Sequence, residues 1–204
     1  MTRSANKTSL IKQLKSFIKR KTSQKYRFNM QYENNKWDGL KNANELGRYS
    51  IIVGYVRFFC SAPQILDLGC GEGVLQQKFS PSDYSRYVGI DFSDVAIDNA
   101  KKLEDQKTNF RVGDLNHLEE ADRYDAIIYN ESLYYLKDPQ KAIQQLFKNL
   151  NPGGVFIFSI VDKHGKEETG LWTDLNSILE LQDRTKITNG EGNSWTVQVY
   201  KVKG

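Results

Sequence analysis

Two spacings of apolar residues alternate along the chain. Short runs with β-branched and aromatic character predict strands near 65–69, 86–91, 108–112, 124–130 and 154–161. Between them, apolar residues recur at helical spacing near 73–80, 93–104 and 138–150, so strand and helix follow one another as a parallel sheet requires. Ahead of this series, Leu46, Tyr49, Ile52, Val53, Val56 and Phe59 form one helical stripe, which Ala62-Pro63 ends. Ser93 or Asp94 caps the helix after the second strand, and Asp138-Pro139 supplies a cap followed by proline at the first helical position. Asn151-Pro152-Gly153-Gly154 predicts a turn into the fifth strand. Leu171 to Leu181 predicts a further helix. Thr185-Lys186-Ile187 and Trp195 to Val202, separated by the polar 188–193, predict a terminal antiparallel hairpin.

The first strand, Gln64 to Leu68, runs into Gly69, Gly71 and Gly73. Glycine is required where backbone takes positive φ or closely approaches a ligand, so this strand, turn and helix start suggest a backbone cradle for a nucleoside-like group. Asp67, at the strand's carboxyl end, can accept from a cationic or hydroxyl-bearing ligand. The spacing is not that of a dinucleotide fingerprint, whose third glycine would fall on Val74, and no P-loop stretch is present.

Asp67-Leu68-Gly69-Cys70-Gly71-Glu72-Gly73 resembles the first motif of the class I S-adenosylmethionine-dependent methyltransferases. Three later segments fall in that family's order. Arg86 to Asp91 ends a strand in a carboxylate about twenty residues after the glycine turn; the resemblance gives Asp91 the ribose hydroxyls and Phe92 the adenine flank, with a helix-capping acid as the alternative for Asp91. Asn109 to Leu115 places Asp114 toward the adenine amino group, or as a turn residue. Leu150-Asn151-Pro152-Gly153-Gly154 is similar to the segment before the family's fifth strand.

The resemblance thus implies a seven-stranded, Rossmann-like α/β sheet. It is parallel with a C-terminal antiparallel hairpin, has helices on both faces, and binds S-adenosylmethionine through Asp67, Gly69, Cys70, Gly71, Asp91, Phe92, Asp114, Leu115 and Asn130. The chain divides into a basic amphipathic segment, residues 1–27, and a methyltransferase domain, residues 28–204, whose first helices form a lid in the family.

Charge and length refine this. The chain has 204 residues, suited to one domain with a sizeable core. Met1 to Arg27 holds nine Lys or Arg and no acid, leaving twenty basic and twenty-five acidic residues beyond it. The basic charge therefore sits on a tail carrying Leu10, Ile11, Leu14, Phe17 and Ile18 at helical spacing. Either the stripe docks on the body, or the tail makes peripheral contact with an anionic membrane surface or RNA. No apolar run suits a bilayer span and no secretory signal is evident, so the expected location is cytoplasmic. Cys60 and Cys70 are expected as reduced, packed thiols; with two histidines in the chain, no metal site is expected.

The loop after the fourth strand, Asn130-Glu131-Ser132-Leu133-Tyr134-Tyr135-Leu136, lines the meeting place of methyl donor and acceptor in the family. It lacks the Asn/Asp-Pro-Pro-Tyr/Phe motif of base-amine enzymes, which disfavours a nucleic-acid substrate, and is similar to the loop of nodulation-type sugar N-methyltransferases. Candidate bases are Glu131 and His164, the latter alternatively an exposed loop histidine; Tyr32, Trp37, Tyr134, Tyr135 and Trp172 are candidate walls of an acceptor pocket. The resulting expectation is methyl transfer to a small polar metabolite bearing an amine or hydroxyl. The alternatives are an RNA or protein methyltransferase anchored by the tail, or a non-catalytic S-adenosylmethionine-binding module. Neither oligomeric state nor acceptor identity follows from the residues.

Overall fold

Seven strands form one sheet in the order β3-β2-β1-β4-β5-β7-β6 in the computed structural model, which describes residues 23–162 and 169–203. The strands are β1 (Gln64–Leu68), β2 (Arg86–Asp91), β3 (Thr108–Val112), β4 (Tyr124–Asn130), β5 (Leu150–Val161), β6 (Leu179–Thr188) and β7 (Ser194–Val202). The first five are mutually parallel, and β7 lies antiparallel between β5 and β6. The expected sheet and its terminal hairpin are therefore present. Most of the basic segment, residues 1–22, and His164 lie outside the described residues.

Alternation along the parallel strands sends successive side chains to two covered faces. Ile65, Tyr87, Ala126, Ile128, Val155 and Ile157 join one core with helix α2 (Leu46–Phe59) and helix α3 (Asp94–Ala100). Their neighbours Leu66, Val88, Ile127, Tyr129, Phe156 and Phe158 face the other core, closed by α4 (Pro139–Gln145) and α5 (Thr169–Ile178). Ser93 Oγ accepts the Ala96 amide at 3.2 Å to cap α3, and Asp138 Oδ1 accepts the Lys141 amide at 3.0 Å ahead of Pro139 in α4. Both caps match the sequence.

Three elements differ from expectation. The segment 73–80 contains only a short 3-10 turn, Gln76–Lys78. Gly73, at φ +77°, keeps the chain out of helical backbone at its start, and Ser80-Pro81 prevents extension beyond it. Strand β5 begins at Leu150 and takes in the expected turn at 151–154, with its irregularity opposite Tyr124 and Ala126. Helix α5 stops at Ile178 because Leu179, Glu180 and Leu181 pair with Val202, Lys201 and Tyr200. There, sheet pairing overrides helical spacing.

Ahead of the sheet, α1 (Gln24–Glu33) crosses the amino end of α3. Ser23 caps it by accepting the Tyr26 amide at 3.1 Å. Lys25 pairs with Asp94 at 2.7 Å, and the Ser93 hydroxyl donates to Asn29 Oδ1 at 2.7 Å. Because β1 lies between β2 and β4, the chain reverses its direction of winding there. Such a switch point leaves a crevice at the strands' carboxyl ends.

Candidate active site

A cavity of about 540 Å³ occupies this crevice, within the range of small-molecule sites, about 300–1,000 Å³. The glycine turn forms one wall. Gly69 and Gly71 have φ of +84° and +54°, and a side chain at either would intrude: a Cβ on Gly69 would stand 2.3 Å from Ser132 Cβ, and one on Gly71 2.9 Å from the Tyr32 hydroxyl. The backbone is thus bare where the cavity meets it. Asp91, at the end of β2, fixes the turn: one carboxylate oxygen accepts the Gly71 amide at 2.9 Å and the other the Ser93 amide at 2.8 Å. Burial raises its carboxyl, opposed by the Ser93, Gly71 and Phe92 amides. Lone pairs remain for ligand hydroxyls.

The cavity gathers most of the residues singled out in the sequence. Gly69, Cys70, Gly71, Asp91, Phe92, Asp114, Leu115 and Asn130 line it, as do Glu131, Tyr32, Trp37, Tyr134 and Tyr135. Asp114 lines the cavity and also makes the contacts of a turn residue. It faces the cavity while accepting the Asn116 amide at 3.0 Å and contacting His117 Nδ1 at 2.9 Å. Partial burial raises its carboxyl, but these bonds outweigh burial and hold it below the usual range.

Two residues stand elsewhere. Trp172, on α5, packs in the second core beside Leu175 and does not line the cavity; its position on the helical stripe of α5 accounts for this. Asp67 is 1% exposed and lies behind the cavity wall. Its Oδ2 accepts the Tyr87 hydroxyl at 2.6 Å, while Oδ1 has no partner among the described residues. Burial pushes this carboxyl up to about 7, with Tyr87 opposing, Asp91 adding and Arg48 opposing.

At the other end, Glu131 follows β4 with φ +58°, a conformation uncommon for a residue with a side chain. Its carboxylate accepts the Tyr134 hydroxyl at 3.1 Å, the Ser159 hydroxyl at 3.3 Å and the Val161 amide at 3.2 Å. Burial pushes it up to about 7, against the opposing effects of Arg48 and these donors. Such a group changes protonation near neutrality.

Arg48 is the main residue the sequence reading missed. Its guanidinium is buried on α2, donates to Glu45 at 2.7 Å and to the Tyr49 hydroxyl at 2.9 Å, and makes a short bond to Asn130 Oδ1. The signal was an arginine on the same stripe as Ile52, Tyr55 and Val56, where an isolated charge is costly unless paired. Glu72 was also missed. It receives Lys41 at 2.6 Å and the Asn99 amide group at 2.7 Å, tying the segment before α2 to the glycine turn.

Residues 61–197, two thirds of the chain, match the methyltransferase domain family. The chain belongs to the class I S-adenosylmethionine-dependent methyltransferases. The chain is 32% identical over 106 residues to a ubiquinone biosynthesis O-methyltransferase of Coxiella burnetii, covering 50% of this chain and 45% of that protein. It is 27% identical over 146 residues to a malonyl-[acyl-carrier protein] O-methyltransferase of Priestia megaterium, covering 64% and 53% respectively. The chain thus spans about half the length of these curated relatives. In fold it is similar to the N-methyltransferase NodS of Bradyrhizobium japonicum, crystallised with S-adenosyl-L-homocysteine: TM-score 0.70, 22% identity, 82% of this chain and 92% of that one.

The cavity suits the family's methyl donor. The bare backbone at Gly69 and Gly71, the carboxylate of Asp91 and the ring of Phe92 offer a nucleoside its surfaces. Trp37 Nε1, buried on the cavity wall, has no acceptor among the described residues. No His, Cys, Asp and Glu cluster of metal-site size occurs among the described residues.

Proposed function

We propose that this enzyme methylates a small polar acceptor carrying an amine or a hydroxyl, with Glu131 receiving the acceptor's proton. The observation that carries this reading is the Glu131 carboxylate, recessed in the same cavity as the glycine turn and Asp91. Bound S-adenosylmethionine would supply a methyl group already activated on a sulfonium, so the protein's task is chiefly alignment. Asp91 and the glycine turn would hold the nucleoside, and Trp37 would donate to a ligand oxygen. Tyr134, Ser159 and the Val161 amide fix the Glu131 carboxylate in place.

A small acceptor is supported by the size of the cavity. Phe28 and Tyr32 of α1 line it together with Trp37, and its volume of about 540 Å³ has to hold the methyl donor as well as the acceptor. The similar proteins comprise O-methyltransferases and an N-methyltransferase, so both acceptor atoms occur among them.

The test is transfer of isotope-labelled methyl into a cell extract separated by molecular size, with Asp91→Ala and Glu131→Gln alongside. Label in the small fraction, lost with Asp91→Ala and strongly reduced with Glu131→Gln, is the expected result. Label confined to RNA or protein overturns the proposal.

A further inference from the structure

We infer that the acceptor is an amine that binds as its ammonium ion against the Glu131 carboxylate and the rings of Phe28, Tyr134 and Tyr135. This inference rests on the proposed small-molecule methyl transfer and selects among its acceptors.

The first observation is charge. Several acids line the cavity, and most already have a cationic or histidine partner: Glu72 has Lys41 at 2.6 Å, Glu45 has Arg48 at 2.7 Å, and Asp114 has His117 at 2.9 Å. Asp91, at the glycine turn on the nucleoside side, and Glu131 take only uncharged donors: Asp91 from the Gly71 and Ser93 amides, Glu131 from Tyr134, Ser159 and Val161. The nearby cation, Arg48, is engaged with Glu45, Asn130 and Tyr49, while Lys137 is an exposed rim residue. On the acceptor side, a carboxylate therefore stands without direct ion pairing among the described residues. A positive ligand completes it.

The second observation is the aromatic wall beside that carboxylate. Tyr134, which donates to Glu131, has its ring centroid 4.7 Å from that of Tyr135, and Tyr135 meets Phe28 edge-on at 5.2 Å. Three contiguous rings next to an acid make a surface for a cation, because ring faces are electron-rich and the carboxylate supplies the counter-charge.

The third is proton affinity. A carboxyl near 7 lies about three units below an alkylammonium such as lysine's, at ~10.4. An aliphatic hydroxyl, with a proton held about as tightly as water's at ~15.7, lies roughly nine units away. The amine is the easier substrate for this base. A phenol would satisfy the proton requirement but would bring no positive charge to Glu131.

The step balances without a further reactant. The ammonium gives a proton to Glu131; the freed nitrogen lone pair forms the N–C bond as the C–S pair leaves with sulfur, giving a methylammonium and a neutral thioether.

Two measurements test this. Small molecules from a cell extract are divided by ion exchange into cationic, neutral and anionic pools, and each is supplied with labelled S-adenosylmethionine. Label is expected in a base-stable product from the cationic pool. Label in the neutral or anionic pool alone, phenols included, overturns the amine but leaves small-molecule methyl transfer standing; label in no small-molecule pool removes both. Separately, benzylamine and benzyl alcohol are titrated into protein saturated with S-adenosylhomocysteine. At least a five-fold preference for benzylamine is expected, falling toward parity in Glu131→Gln with S-adenosylhomocysteine affinity retained. Absence of a preference in the native protein overturns the inference.

Discussion

The ammonium of Lys41 lies 2.6 Å from the carboxylate of Glu72, joining the segment before α2 to the residue between the two glycines at the end of the turn. These bonds raise the Lys41 ammonium above its usual value. The pair is half-exposed on the lysine side, so its worth is small, about 0.2–1 kcal/mol. Lys41→Met is expected to weaken S-adenosylhomocysteine binding by up to about five-fold at low salt and less at high salt, measured by calorimetry. A loss insensitive to salt would show that Lys41 acts through packing.

The two glycines of the turn differ in what surrounds them. A methyl group at Gly69 meets Ser132 Cβ at 2.3 Å with φ at +84°, whereas one at Gly71 meets only the end of the Tyr32 side chain, with φ at +54°. Gly69→Ala therefore strains two chain segments, by about 1–3 kcal/mol from backbone conformation alone, and should lower the melting temperature by about 5 °C or more. Gly71→Ala should remain closer to native in stability but lose cofactor-product affinity as Tyr32 is displaced. The reverse ranking in a thermal melt would contradict the geometry.

Glu131 accepts protons only in its ionised form. With burial holding the carboxyl near 7, kcat/KM should rise as pH climbs through about 7. Glu131→Gln should lower it on the order of 100-fold and remove that limb of the profile. A native profile flat between pH 6 and 8 would exclude Glu131 as the base.

Asp67 bears on stability instead. Its folded-state value, near 7, is raised from an ordinary 3.8. The folded protein therefore holds this proton more tightly than the unfolded chain. The group's stabilising contribution is full below about pH 4 and is lost as pH rises through 7. Asp67→Asn keeps an acceptor for Tyr87 and cannot ionise, so at pH 8 it should melt at least about 3 °C above the native protein, with a smaller difference at pH 5. Parallel profiles would show that Asp67 ionises as a solvated acid does.

The parallel sheet was legible because its strands are buried on both faces, leaving nearly unbroken apolar runs such as Ala126-Ile127-Ile128-Tyr129. The glycine turn and Asp91 were legible for a different reason: their backbone demands restrict residue type. Segment 73–80 was misread because Val74, Leu75 and Phe79 are buried at helix-like spacing although the segment forms only the short 3-10 turn Gln76–Lys78 and Phe79 is already extended. The acceptor end was harder. Arg48 reaches Asn130 across 82 positions of sequence, and the ion pairing that leaves Glu131 without a direct cation depends on such tertiary contacts. Trp172 shows the converse, an aromatic whose helical stripe turns it toward the core.

The close approach of Gly69 to Ser132 also constrains how related sequences drift. Ser132 additionally hydrogen-bonds the Leu68 carbonyl, so the first-strand turn and the fourth-strand loop share one small volume. Enlargement at either position leaves the other little room. Substitutions at the two sites should accordingly be inherited together, with a side chain at 69 tolerated mainly in lineages that have first reduced residue 132.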